Sequence, residues 1–159
     1  MGKINIGRWI LGGIVAGIAV DFLSYVVDGV ILAPRWAHDM TRLGRPAFTV
    51  SQMVWFNVIG MAMGLLAVWV YAAIRPRFGA GIRTAICAGI AVWVATSLLP
   101  NASIMWATGL FNNHLTLYTT AGALIEIVVG TVAGASVYRE PAAAGAGAAA
   151  TERAQTARA

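Results

Sequence analysis

Residues Gly13 to Asp28 read GIVAGIAVDFLSYVVD, and the fold turns on how that stretch is placed. At about 100° per residue, Gly13, Gly17, Asp21, Ser24 and Asp28 share an arc of roughly 80° on a helix. Every other side chain of the helix is aliphatic or aromatic. A carboxyl group in so apolar a segment is costly unless it faces protein or water rather than lipid. The stretch therefore says where polar chemistry must lie, and leaves open what that chemistry is.

The rest of the chain is equally apolar. Of 159 residues, 59% are hydrophobic and 11% charged, with a mean hydropathy of +0.75. Soluble domains carry about 25% charged residues, so the composition points to an integral membrane protein. A net charge of +5 could speak for nucleic acid, but the basic residues flank apolar spans, where lipid headgroups and insertion topology account for them. With no basic helix and no aromatic–basic platform, nucleic-acid binding is set aside. The single cysteine, Cys87, lies in an apolar run and reads as a buried, inert thiol. Lys3 and Arg8 followed by an apolar run imitate a signal peptide. That run continues past Asp21 to Leu32, and ILAPRWA is a poor cleavage site, so an uncleaved first span is expected. Ile6 stands where myristoylation needs Ser or Thr, so no lipid anchor is inferred.

Four segments can cross a hydrocarbon layer of about 30 Å, which takes about 20 helical residues: Ile10–Leu32, Val54–Ile74, Ile82–Leu99 and Leu117–Val137. Only closed hydrogen bonding survives in lipid, so all four should be helices, giving an all-α four-helix bundle. The third span is expected to stop at Pro100-Asn101. Lys3, Arg8, Arg75, Arg77, Arg83 and Arg139 outnumber Arg35, Arg42 and Arg45, which favours cytoplasmic N- and C-termini. In the first outer loop, PRWAHDMTRLG starts with Pro34 and ends with Gly44. Trp36, Met40 and Leu43 recur there at helical spacing while Arg35, Asp39 and Arg42 point elsewhere, the pattern of a short interfacial helix. The second outer loop, Pro100 to Thr116, carries Trp106 and Phe111 and should rest among headgroups. IRPRFGAGIR is a short connection, so the second and third spans form an antiparallel hairpin. Residues 140–159, rich in Ala and Gly, cannot bury a core and read as a disordered tail.

Small residues recur beside the polar ones. Gly122, Glu126, Gly130 and Gly134 follow at intervals of four in the fourth span, and Asn57, Gly60, Gly64 and Tyr71 share a face of the second. Small residues let helix backbones approach where lipid removes the hydrophobic drive. Spans one, two and four should thus meet along Gly13, Gly17, Gly60, Gly64, Gly122, Gly130 and Gly134. The seam between them would hold Asp21, Ser24, Asp28, Asn57 and Glu126. The third span, with Ala85, Gly89 and Thr96 but no ionisable group, looks peripheral. An exposed glycine face could also pair two copies into a homo-oligomer.

Three readings fit that seam. The acids act as helix–helix glue, as a proton or cation path, or as a site for a small or lipidic molecule beneath the outer loops. Glue is the simplest. His38, Asp39, His114 and Asp28 could gather at the outer mouth, but their spacing matches no metal motif, and no metal or cofactor is expected. Trp9, Trp36, Trp55, Trp69 and Trp106 read as interfacial belt anchors and Trp93 as packing. Gly79 to Ile82 lacks the ending of a phosphate loop. No nucleophile–base pair supports hydrolysis, so no enzyme activity is expected.

GRWILGGIVAG leading to an acid, the RW-x-x-x-M loop, VWVYAAIRPRFG, the LLPN turn and the closing VYRE together resemble small bacterial four-span membrane proteins of unknown function. The likeness covers roughly residues 7–140. It implies a four-span fold in a bacterial inner membrane, and it implies no activity.

Overall fold

A computed structural model describes residues 4–46 and 48–139, so the Ala/Gly-rich tail lies outside the described residues. These contain helices and no strand: α1 (Ile6–Ser24), α2 (Ala33–Arg42), α3 (Val50–Phe78), α4 (Ile82–Trp93), α5 (Leu99–Asn101) and α6 (Asn113–Val137). Wide π-helical turns carry α1 on through Tyr25–Ile31, join α4 to α5 at Val94–Leu98, and follow α5 at Ala102–Trp106. Four helical stretches are long and apolar enough to cross a membrane: Ile6–Ile31, Val50–Phe78, Ile82–Asn101 and Asn113–Val137. That is the signature of a multi-pass integral membrane protein, folded as a helical bundle.

The first, second and fourth spans start four residues before their expected limits, and the caps show why. Asn5 accepts a hydrogen bond from the Arg8 N–H at 3.2 Å and starts α1. Thr49 and Gln52 form a reciprocal capping box at the head of α3, the Thr-x-x-Gln pattern that satisfies two orphan donors at once. Asn112 accepts from the His114 N–H at 2.8 Å. The third span closes at Asn101, at the Pro100-Asn101 pair as expected, and helical turns run on beyond it through Ala102–Trp106. Proline inside a helix loses one N–H bond and crowds the carbonyl four residues back. The wide turn just before it, where the Leu99 N–H reaches back five residues to Val94 O, opens the coil enough to pass the ring.

α6 is the central strut, packed against α1, α3 and α4, while α1 lies between α3 and α6. The core is made of small side chains: Ala16, Val68, Ala72, Ala85, Ala88 and Ala135 form one buried cluster with Tyr71 and Tyr138. The third span is not peripheral. Thr84, Ala85, Ala88, Gly89 and Val92 are buried, and a Cβ on Gly89 would stand 2.9 Å from Val128 Cα. Helix α4 packs on α3 and α6. Cys87, in contrast, points outward from α4 and is exposed, because the buried stripe of that helix passes through residues 84, 85, 88, 89 and 92.

At one end, the α3–α4 hairpin is tied by Thr84 Oγ1 donating to Gly79 O at 2.8 Å. Gly79 and Gly81 take φ of 82° and 144°, a region closed to most side chains. At the other end lies α2, with Pro34 in its first turn as expected. Trp36 meets Phe48 and Phe111 edge-on at 5.6 and 5.4 Å, locking α2 against both loops.

Candidate functional site

Helix α1 presents two different faces to two neighbours. Gly13, Gly17 and Asp21 are directed at α3, where a Cβ on Gly13 or Gly17 would stand 2.9 or 2.8 Å from the backbone Cα of Leu65 or Met61. Gly12, Ala16, Val20 and Ser24 are directed at α6: a Cβ on Gly12 would meet Gly134 O at 2.8 Å, and one on Gly130 would meet Ala16 O at 2.9 Å. The seven glycines of the expected stripes are all buried, and they are spent inside one chain rather than left free to pair two copies.

On the α6 face, Ser24 Oγ donates to Glu126 Oε2 at 2.5 Å. Glu126 is 4% exposed, and its other oxygen, Oε1, is buried with no hydrogen-bond partner among the described residues. Gly122, one turn before, leaves the room: a Cβ there would lie 3.4 Å from Glu126 Oε1 and 2.7 Å from Val27. Asp28 stands within electrostatic reach of Glu126 and accepts a hydrogen bond from Trp36 Nε1 at 3.0 Å. On a straight α-helix Asp28, seven residues beyond Asp21, would share its face. The π turn from Tyr25 to Ile31 intervenes, and Asp28 instead joins Trp36 and the Glu126 neighbourhood.

Asp21 and Asn57 are placed elsewhere. A Cβ on Gly60 would fall on Asp21 Oδ1, so the missing side chain of α3 is what admits the carboxyl. Asp21 and Asn57 line an open groove of about 650 Å³ between α1 and α3, with Ile18, Met53, Val54 and Met61 among its walls. Asn57 is exposed and its Nδ2 donates to Met53 O at 2.7 Å. The five polar residues read from the sequence therefore divide between two places: Ser24, Glu126 and Asp28 on one side of α1, Asp21 and Asn57 on the other.

Asp39, read from the sequence only as pointing away from the Trp36–Met40–Leu43 stripe, turns into the protein. It is 2% exposed and accepts from the Asn112 backbone N–H at 2.7 Å, with His38 Nδ1 at 3.2 Å and Arg42 at 3.4 Å. Burial pushes its carboxyl up, but the Asn112 N–H, His38 and Arg42 together outweigh that and hold it below the ordinary value of 3.8. Asp39 thus pins α2 to the head of α6. It shares a cleft of about 630 Å³ with Arg35, His38 and His114, where Arg35 lies 5.0 Å over the Tyr118 ring. No three His, Cys, Asp or Glu side chains among the described residues come together as a metal would require.

Another polar tie was unforeseen. Trp93 Nε1 donates to Thr120 O and Asn101 Nδ2 to Thr120 Oγ1, both at 2.8 Å. The legible signal was the Thr116/Thr120 pair facing an Asn beside Pro100. Trp9 is likewise bonded inward, to Leu65 O at 2.8 Å, and Trp36 to Asp28. Neither is a free belt anchor, whereas Trp55 and Trp69 are exposed. The side chain of Trp106 lies outside the described ones.

Comparison with known protein families, with curated proteins and with solved structures returns no match to this chain.

Proposed function

We propose that the chain is a multi-pass protein of a bacterial inner membrane, both termini cytoplasmic, in which the Ser24–Glu126 hydrogen bond is a structural tie between the first and last spans. One observation carries this reading: the buried Glu126 carboxyl accepts from Ser24 at 2.5 Å across the α1–α6 contact. The glycines and alanines on either side bring the two backbones close enough for so short a polar bridge. Orientation is supported by the excess of Lys and Arg on the α3–α4 hairpin and near the two ends. No catalytic role is proposed for any residue.

The test is a double-mutant cycle on Ser24→Ala and Glu126→Leu, each of which removes one partner of the hydrogen bond, read as reversible unfolding in mixed micelles. Interhelical hydrogen bonds in membranes couple by about 0.6 kcal/mol on average and about 1.7 at most, so a coupling in that range is expected. A coupling of zero refutes the tie. A second reading, a proton- or cation-binding carboxyl, is favoured by the unpartnered Glu126 Oε1 and the neighbouring Asp28. It requires ion flux in liposomes that Glu126→Gln abolishes without unfolding the protein. The structural reading requires no such flux in either form.

A further inference from the structure

We infer that the groove between α1 and α3 is a binding site for a lipophilic monocation, an apolar body carrying one ammonium group. The groove is open on one side and offers about 650 Å³, a volume in the range of about 300–1,000 Å³ usual for small-molecule sites. Its walls are aliphatic and thioether side chains, and Asp21 and Asn57 are its polar groups. That is the composition of a ligand pocket: apolar surface for affinity, a few placed polar atoms for orientation.

Both polar groups offer acceptors. The Asn57 side chain points one atom at Met53 O. A carbonyl can only accept, so that atom is the amide nitrogen, and Oδ1 is the atom left to face the groove. The Asp21 carboxyl has no hydrogen bond and no ion pair among the described residues, and Gly60 holds the space it occupies. Two acceptors, one of them acidic, in an apolar groove select a donor with positive charge. An ammonium supplies both. The groove is also open along the side of the bundle, since Ile18, Met53 and Val54 are each more than half exposed, at 56%, 52% and 58%. An apolar ligand can enter it sideways from the acyl chains, and an ionised carboxyl on a lipid-facing surface is costly until paired. This site is separate from the Ser24–Glu126 tie and does not depend on its reading.

The probe is 1-adamantylamine, with 1-adamantanol as the neutral molecule of the same shape, titrated calorimetrically into the full chain in nanodiscs against empty nanodiscs. The amine should bind saturably, one per chain, and at least tenfold more tightly than the alcohol. Asp21→Asn should weaken the amine at least tenfold and leave the alcohol unchanged. Val54→Trp, which puts an indole into the groove and leaves the carboxyl in place, should weaken both, and Glu126→Gln should alter neither. Equal affinity for amine and alcohol would overturn the proposal, as would amine binding that survives both Asp21→Asn and Val54→Trp. So would a Val54→Cys, Cys87→Ser protein that crosslinks fully to a second copy and stays crosslinkable under saturating amine, since a second chain would then fill the groove. If Asp21→Asn fails to fold, the alcohol comparison and Val54→Trp decide the matter.

Discussion

Adding one methyl group at Gly64 should prise α1 from α3. A Cβ there would fall on the Gly17 backbone nitrogen, 2.5 Å from Gly17 Cα and 2.6 Å from Gly13 O, where ordinary contact begins at 3.4 Å. All three atoms are backbone, so no rotamer change relieves the overlap and the helices must separate locally by about 1 Å. Such a gap forfeits a quarter to a half of each dispersion contact along the stripe. Overpacking of this kind costs about 1–3 kcal/mol, while alanine gains about 0.8–1.0 kcal/mol over glycine in helix propensity. Gly7→Ala controls for propensity, because the nearest atom to its Cβ would be Asn5 Oδ1 at 3.8 Å. Both variants are unfolded reversibly in dodecyl maltoside–SDS micelles and followed by circular dichroism. Gly64→Ala should lie about 1–3 kcal/mol below Gly7→Ala. Equal stability of the two would refute the packing of α1 on α3 described above.

Asp39→Ala should release α2 from the head of α6, leaving the Asn112 N–H without its acceptor at a cost of about 1–3 kcal/mol; faster amide exchange across residues 33–42, with the spans unchanged, is the readout. The same contact sets a pH dependence. The folded carboxyl titrates below the ordinary 3.8, so the unfolded chain takes up the proton first. The stabilisation is complete above that value, declines as pH falls through it, and is gone below the folded pKa. The Asn112 amide resonance, followed from pH 6 downward, should hold its position until that window; a shift already complete at pH 5 would contradict the assignment. Cys87→Ala should change stability by less than about 0.5 kcal/mol, as for an exposed position without partners, measured by the same micellar unfolding.

Much of the fold was legible because the membrane leaves few choices. A run of twenty apolar residues has to be helical in lipid, and four such runs with short connections have to form a bundle. The glycines at intervals of four announced close approach, and all seven are buried. The Thr49-x-x-Gln52 box and Asn112 were also in plain view as helix starts, and reading them would have lengthened two spans correctly. Pro100 marked the end of the third span, but that helical turns run on past it depends on the wide turn at Val94–Leu98, which is not written in any local propensity.

The sequence alone determined that polar groups must lie on α1, since an apolar helix can hide an acid only against protein or water, and it placed Asp21, Ser24 and Asp28 on one arc. Tertiary structure decided which neighbour each group meets. An arc of 80° is wide enough to touch two helices packed on either side. Gly60 therefore receives Asp21 on α3, Ser24 reaches Glu126 on α6, and the π turn carries Asp28 to Trp36. Partner choice depends on how three backbones nest, and that is settled by contacts between residues dozens of positions apart.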